Sequence, residues 1–361
     1  MRPLPSGALL LLPKSAMADS AGGGSNAGGS SGAAPAMPPR VAAAAAAFTA
    51  ALRGSLLHRD PDFLALNKPA GLACQGGTGV PRGLSLDALL AGAFGRLPGL
   101  QAEQLRLVHR LDKETTGALL VATSPDAAAW LAAAFKESSL SSSSGGGGGG
   151  GGGAPGGRRG ARQRAPPDAH APPVGIRKTY WAVVERQQHG GSEPNSAAGS
   201  SSAGAGGGGR GGGKRSTAGG GKGGGWLAPR GSVQLPVLVN GDPLHAQTRY
   251  KVLHQGPRLA WLELQPLTGR KHQLRQHCAR GLGAAVLGDE RYGSSSSGGG
   301  GGSRDADKTL FLHCRSLEVH RPGARLPGRR AVEVTAPLPP AWRALLRDQG
   351  WPLPREGVAP A

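Results

Sequence analysis

Apolar positions along this chain come in short continuous runs and in helically spaced sets, divided by turn-forming residues. Phe63-Leu64-Ala65-Leu66 is followed by Asn67-Lys68-Pro69-Ala70-Gly71, which predicts a buried strand ending in a turn. Leu86, Leu89 and Leu90 place a short helix over Ser85 to Phe94. A second buried strand follows Gly117, and Ser124-Pro125-Asp126 opens a helix. There the hydroxyl caps, the proline suits the first turn and the carboxylate complements the dipole. Trp130, Leu131, Ala134 and Phe135 form the inward face of that helix. Strands are predicted over Ile176 to Glu185, Gly231 to Val239, Thr248 to Leu253 and Leu259 to Leu267. A basic helix runs from Thr268 to near Gly281, with Lys271, Arg275 and Ala279 on one face. The strand Thr309 to Cys314 follows, and Val332 to Pro339 closes the domain.

Composition divides the 361 residues further. The 64 glycines concentrate in runs at 145–153, 206–213, 219–225 and 298–302, which build no core. Segments 138–173, 187–225 and 294–306 are therefore expected to be insertions in the loops of one domain over 53–343, with 344–361 a tail. Residues 1–52 are rich in Ala, Gly, Ser and Pro, carry scattered Arg, and have Asp19 as their only acid. That is the composition of an organelle transit segment, or of a disordered tail without an address. Within it Ala42 to Ala47 has the makings of one or two helical turns.

The net charge of +20 predicts attraction to a polyanion, nucleic acid before anionic membrane, since no basic amphipathic helix stands out. Cys74, Cys278 and Cys314 are too few and too scattered for a disulfide framework or a zinc site, and read as reduced thiols. No apolar stretch approaches the length of a membrane span.

The candidate chemistry centres on His109-Arg110-Leu111-Asp112, followed by Lys113-Glu114-Thr115-Thr116-Gly117 and the apolar run Ala118-Leu119-Leu120-Val121-Ala122. Taken alone, the first four residues fit a loop carboxylate capping local amides as well as a rigidly mounted catalytic one. The whole run closely resembles the signature of the RluA-type pseudouridine synthases. So do Asn67-Lys68-Pro69-Ala70-Gly71, the Lys178-Thr179-Tyr180-Trp181-Ala182 strand, Arg270-Lys271-His272-Gln273-Leu274-Arg275 and Gly288-Asp289-Glu290-Arg291-Tyr292-Gly293, all in family order. Lys271 stands where Thr is common, and Gln276 where an aliphatic residue is common.

The resemblance implies an α+β fold with a mixed, mainly antiparallel sheet and a central cleft. It also implies isomerisation of uridine to pseudouridine in structured RNA, organellar ribosomal RNA foremost, with no cofactor and no metal. Asp112 is then the catalytic carboxylate, as nucleophile or as base on the sugar. Arg275 is expected to pair with it in a planar, bidentate way. Tyr180 contacts the uracil, and Arg110 braces the displaced RNA. His109, Arg270, Lys271 and His272 are RNA-side residues, the two histidines as positioning or structural groups, and Leu312 is an apolar wall of the uracil pocket. The chain is expected to act as a monomer. A competing reading is a non-catalytic RNA-binding protein that keeps the fold.

Overall fold

Long apolar runs with both faces to cover need a sheet with layers on either side, and that is how they are used. The structure, a computed structural model, describes residues 38–140, 175–187, 225–293, 309–321 and 331–354. Its elements are α1 (Pro39–Arg53), β1 (Leu56–Arg59), β2 (Phe63–Lys68), α2 (Leu86–Phe94), β3 (Arg106–Leu107), β4 (Thr116–Ala122) and α3 (Pro125–Leu140). Then come β5 (Gly175–Arg186), β6 (Arg230–Val233), β7 (Val237–Val239), β8 (Asp242–Leu244), β9 (Thr248–Gln255) and β10 (Leu259–Pro266). α4 (Gln273–Gln276) continues as a π-helical turn over His277–Gly281, and β11 (Ala284–Val286), β12 (Leu312–His320), β13 (Val332–Thr335) and α5 (Pro340–Asp348) complete the order.

Eleven strands make one sheet in the order β1-β2-β4-β12-β5-β10-β9-β6, with β3 on β4, β11 on β5 and β13 on β12. Every pairing is antiparallel except β4 with β12, which is parallel at Thr116–His313 and Gly117–Cys314. The expected mixed, mainly antiparallel sheet is thus what forms. Gly117 sits at that junction with φ 109°, and a Cβ there would collide with the Cys314 backbone. Only glycine lets the chain leaving the Asp112 loop enter the sheet so close to β12.

Strand β5 divides the core in two by its alternation. Ile176, Tyr180, Ala182 and Val184 join the main core, whereas Val183 packs with Leu259, Trp261, Trp342 and Leu346 on the far side. The folded part extends beyond the expected 53–343 at both ends. α1 buries Ala44, Phe48 and Leu52, at i, i+4 and i+8, and Phe48 reaches the turn at Gly71. Its alanine-rich sequence resembled a tail because three buried side chains suffice to dock it. At the other end α5 buries Trp342 and Leu346, and Trp351 beyond it is also buried, so part of the expected tail closes the second core. Truncating a buried aromatic of this kind costs about 3–5 kcal/mol.

Three predicted elements differ in detail. The strand expected over Gly231 to Val239 breaks at Gln234–Pro236 into β6 and β7, since proline has no amide to give a ladder. The last long strand begins at Leu312, not Thr309, and runs on to His320. The basic helix starts only at Gln273, because His272 takes a left-handed φ of 54°. The glycine runs and residues 1–37 lie outside the described residues, apart from Gly225.

Candidate active site

The Asp112 loop is pinned at alternate residues by groups from the first turn of the domain. Lys68, wholly buried, donates from Nζ to the carbonyls of Pro69, Leu72 and Lys113 at 2.8, 2.8 and 2.9 Å. Burial brings its pKa down to about 8, and three carbonyls exhaust its three donors. The Gly71 amide donates to the Lys113 carbonyl as well, at 3.0 Å. Cys74 Sγ lies 3.3 Å from the Leu111 amide, which donates to it, and 3.2 Å from the Leu111 carbonyl. The Asn-Lys-Pro-Ala-Gly turn is therefore a clamp beneath the loop, a role its composition alone did not reveal.

His109 closes a gap in the sheet. On one edge of β4, β12 serves its first residues and β3 serves Val121 and Ala122. Between them the Leu120 amide donates to His109 Nε2 at 2.8 Å. The ring also stacks on Phe135 at 4.3 Å, and burial pulls its pKa to about 3, with Lys178 adding to the effect. His109 is thus a neutral acceptor in the cleft wall, the structural role expected of it.

Opposite, the loop 268–272 is shaped by Gln273. Its Oε1 accepts from the Thr268 hydroxyl at 2.7 Å and the Arg270 amide at 3.0 Å. Its Nε2 donates to the Gln247 carbonyl at 2.9 Å and the Thr248 hydroxyl at 3.0 Å. With that side chain satisfied, His272 is turned toward Asp112, its Nε2 3.8 Å from Oδ1. Its Nδ1 lies 3.1 Å from the Tyr292 hydroxyl. Burial lowers the His272 pKa, and Arg275, Arg291 and Lys271 add to this against the opposing pull of Asp112, so the neutral ring is favoured on balance.

Arg275 departs from expectation. Its planar edge serves Asp289, with Nε to Oδ2 at 2.7 Å and Nη2 to Oδ1 at 2.6 Å, whereas Nη1 reaches Asp112 Oδ2 at 3.8 Å. The bidentate partner is therefore Asp289, whose side chain is 0% exposed and also accepts the Arg291 and Tyr292 amides, each at 3.0 Å. Burial alone would push the Asp289 carboxyl up, but the Arg275 bonds overcome it and hold the pKa below 3.8. Tyr292 lies under the guanidinium at 5.2 Å. Asp289 and Tyr292 both lie in the Gly288–Gly293 run that resembles the family, but the sequence assigns neither a part in the site.

These elements enclose a cleft of about 390 Å³, within the range of small-molecule sites. Asp112, Tyr180, Arg275, Arg110, Arg270, Lys271, His272 and Leu312 all line it, so the structure brings every expected site residue to one place. Tyr180 is buried, and burial raises its pKa well above 10, with Cys314 beside the hydroxyl adding to the effect, so the phenol keeps its proton. Leu312 is buried in the wall as expected. Arg270 is exposed and donates from Nε to the His245 carbonyl at 3.2 Å. Gln276, which departs from the family pattern, pairs both ends of its amide with the Leu238 backbone, at 3.1 and 3.2 Å. Lys136 and Lys178 join the lining unannounced by the sequence reading. Among the described lining residues Asp112 is the only acid, set among six Lys and Arg.

One carboxylate in a cationic cleft with a protonated phenol is the constellation that the motif resemblance implied. The family model for RNA pseudouridylate synthase matches residues 62–142 and 169–280, which include Asp112, Tyr180 and Arg275. The chain belongs to this family. As an RNA pseudouridylate synthase family member it is 34% identical over 242 residues to the mitochondrial RNA pseudouridine synthase 4 of Arabidopsis thaliana. That match covers 66% of this chain and 40% of the plant protein, so the chain spans well under half of that relative's length. It is 29% identical over 314 residues to the mitochondrial pseudouridylate synthase RPUSD4 of Rattus norvegicus, covering 83% and 70% of the two chains. The solved structure of human RNA pseudouridylate synthase domain containing 4 shares its fold, with a TM-score of 0.54 at 22% identity, covering 86% of this chain and 98% of that one.

Proposed function

We propose that this chain is an RNA pseudouridine synthase acting as a monomer on structured organellar RNA, mitochondrial ribosomal RNA foremost. The observation that carries the reading is Asp112, the one carboxylate among the described lining residues, between Arg275 and His272 at 3.8 Å each in a cleft whose other charged groups are six Lys and Arg. The reaction breaks the C1′–N1 bond of a uridine, turns the base and forms a C1′–C5 bond. The proton lost from C5 is balanced by one gained at N1, so no electrons are exchanged. The target must first leave its stack, and cationic walls favour the phosphates that come with it.

Asp112 acts at the sugar, as nucleophile or base. Arg275 and His272 approach its two oxygens at 3.8 Å each, beyond hydrogen-bond distance, so neither oxygen is saturated by them. Tyr180 offers a ring face to the uracil and a hydroxyl that stays protonated. Arg110, exposed at the cleft, braces the RNA where the base has left. The mitochondrial relatives and the acid-poor residues 1–52, with Arg2, Lys14 and Arg40, support an organelle address. Mapping pseudouridine across cellular RNA with and without the protein tests the reading. Loss of modification at discrete organellar uridines is expected. An unchanged map favours the non-catalytic RNA-binding alternative.

A further inference from the structure

Strand β5 presents Ile176, Lys178, Tyr180, Ala182 and Val184 on one face, and all but Lys178 belong to the main core. A lysine in such a row needs a reason. Its neighbours across the sheet do not supply one. Leu317 faces Lys178 from β12, and no hydrogen bond or ion pair reaches its ammonium from the described residues. The side chain instead opens into the cleft, beside His109 and Cys314, in the wall that also holds Arg110, Phe135 and Lys136. Asp112 lies nearest Arg275 and His272, at 3.8 Å each. Burial lowers the Lys178 pKa, the signature of an ammonium stripped of water without a full countercharge.

We propose that Lys178 is a substrate-positioning residue that takes a non-bridging oxygen of a phosphodiester flanking the everted uridine. This deepens the reading of the cleft as a uridine site and rests on it. The uracil is neutral, and its carbonyls offset a desolvated ammonium only in part; within an RNA substrate the full negative charge lies on phosphate. Two residues of extended chain separate Lys178 from Tyr180 by about 6.8 Å. A base seated on Tyr180 therefore has Lys178 to its side and not beneath it, where the backbone of the same strand passes. Held there, the phosphate fixes how far the nucleotide enters, and so where C1′ meets Asp112.

The test is binding of a fluorescein-labelled ten-nucleotide oligouridylate to the full chain and to Lys178→Met, Lys178→Gln and Lys178→Arg, across 50–200 mM KCl. Loss of one phosphate contact makes the slope of log K against log salt shallower by about 0.7 on single strands. The Met and Gln variants are expected to show that change, with the Arg variant restoring the wild-type slope. A lysine with a merely structural role weakens affinity without moving the slope. Wild-type slopes in folded Met or Gln variants, judged by melting temperature, overturn the assignment and leave the uridine-site reading intact. Should Met unfold the chain, Gln alone decides it. Absence of oligouridylate binding by the wild-type chain overturns both.

Discussion

Arg275 gives its fork to Asp289 at 2.6 and 2.7 Å and touches Asp112 with a single nitrogen at 3.8 Å. The two carboxylates thereby divide what one was expected to do. Asp289, fully buried, fixes the guanidinium plane, and Asp112, with 21% of its side chain exposed, keeps oxygens available to a substrate. A carboxylate locked in its own bidentate pair would have to break two charge-assisted bonds before reacting.

Asp289→Asn is expected to reduce kcat about a hundredfold, roughly 2.7 kcal/mol in the barrier, with a much smaller change in KM. Breaking a buried pair also costs about 3–5 kcal/mol of stability. Because the folded pKa of Asp289 lies below 3.8, its contribution is complete above that pH and is lost as pH falls through the folded value. Kinetics with chemical denaturation at pH 7 and pH 3.5 check this. An unaltered kcat in a folded variant would show that Arg275 needs no holder.

The site was legible in unequal parts. Asp112, Tyr180 and Arg275 were readable because each sits in a contiguous motif, Asp112 just before the unbroken apolar run of β4. Asp289, Gln273 and Lys68 sit in quoted motifs too, but their roles were not readable, because these lie in partners 14 to 45 residues away that no local pattern encodes. Of α1 only one or two turns over Ala42 to Ala47 were expected, because alanine gives a weak hydrophobic signal, and the basic helix was overextended because a left-handed His272 has no sequence mark. A proline inside a predicted strand, Pro236, was the one overlooked local cue.

Lys68→Met is expected to lower stability by about 3 kcal/mol or more. It deprives buried carbonyls of their donor, at about 1–3 kcal/mol for each group left unpaired. Lys113 keeps the Gly71 amide, so the Asp112 loop loosens without unravelling. Turnover is expected to fall more than RNA affinity. Equal losses in the two would place Lys68 outside the support of the loop.

His109 and His313 both have pKa values pulled to about 3 by burial. Both are neutral in the fold and return to about 6.5 on unfolding. Between those values the unfolded chain binds more protons, so stability present above pH 6.5 is lost as pH falls. Each histidine contributes a slope of roughly 1.4 kcal/mol per pH unit. Urea denaturation at pH 7, 6 and 5 is expected to show the decline, with His313→Gln flattening it by up to roughly 1.4 kcal/mol per pH unit. A variant slope equal to wild type contradicts the assignment.

Removing residues 141–173 and rejoining the ends with a few glycines is expected to leave the domain folded. The end of α3 and the start of β5 already meet, since a Cβ on Gly175 would lie 3.5 Å from the Ser138 Cβ and from the Ala134 carbonyl oxygen. Each halving of a flexible loop gains about 0.6 kcal/mol. Thermal melting and turnover at saturating RNA check this, and loss of turnover in a folded, shortened chain would make the segment part of the site.

Asp112→Asn tests the central claim most directly. Shape and volume are nearly kept and the charge is removed, so fold and RNA binding are expected to persist. Pseudouridine formation, measured by mass spectrometry on the RNA whose modification depends on this protein, is expected to vanish. Residual isomerisation within about tenfold of wild type, roughly 1.4 kcal/mol in the barrier, would contradict the assignment of Asp112 as the catalytic carboxylate.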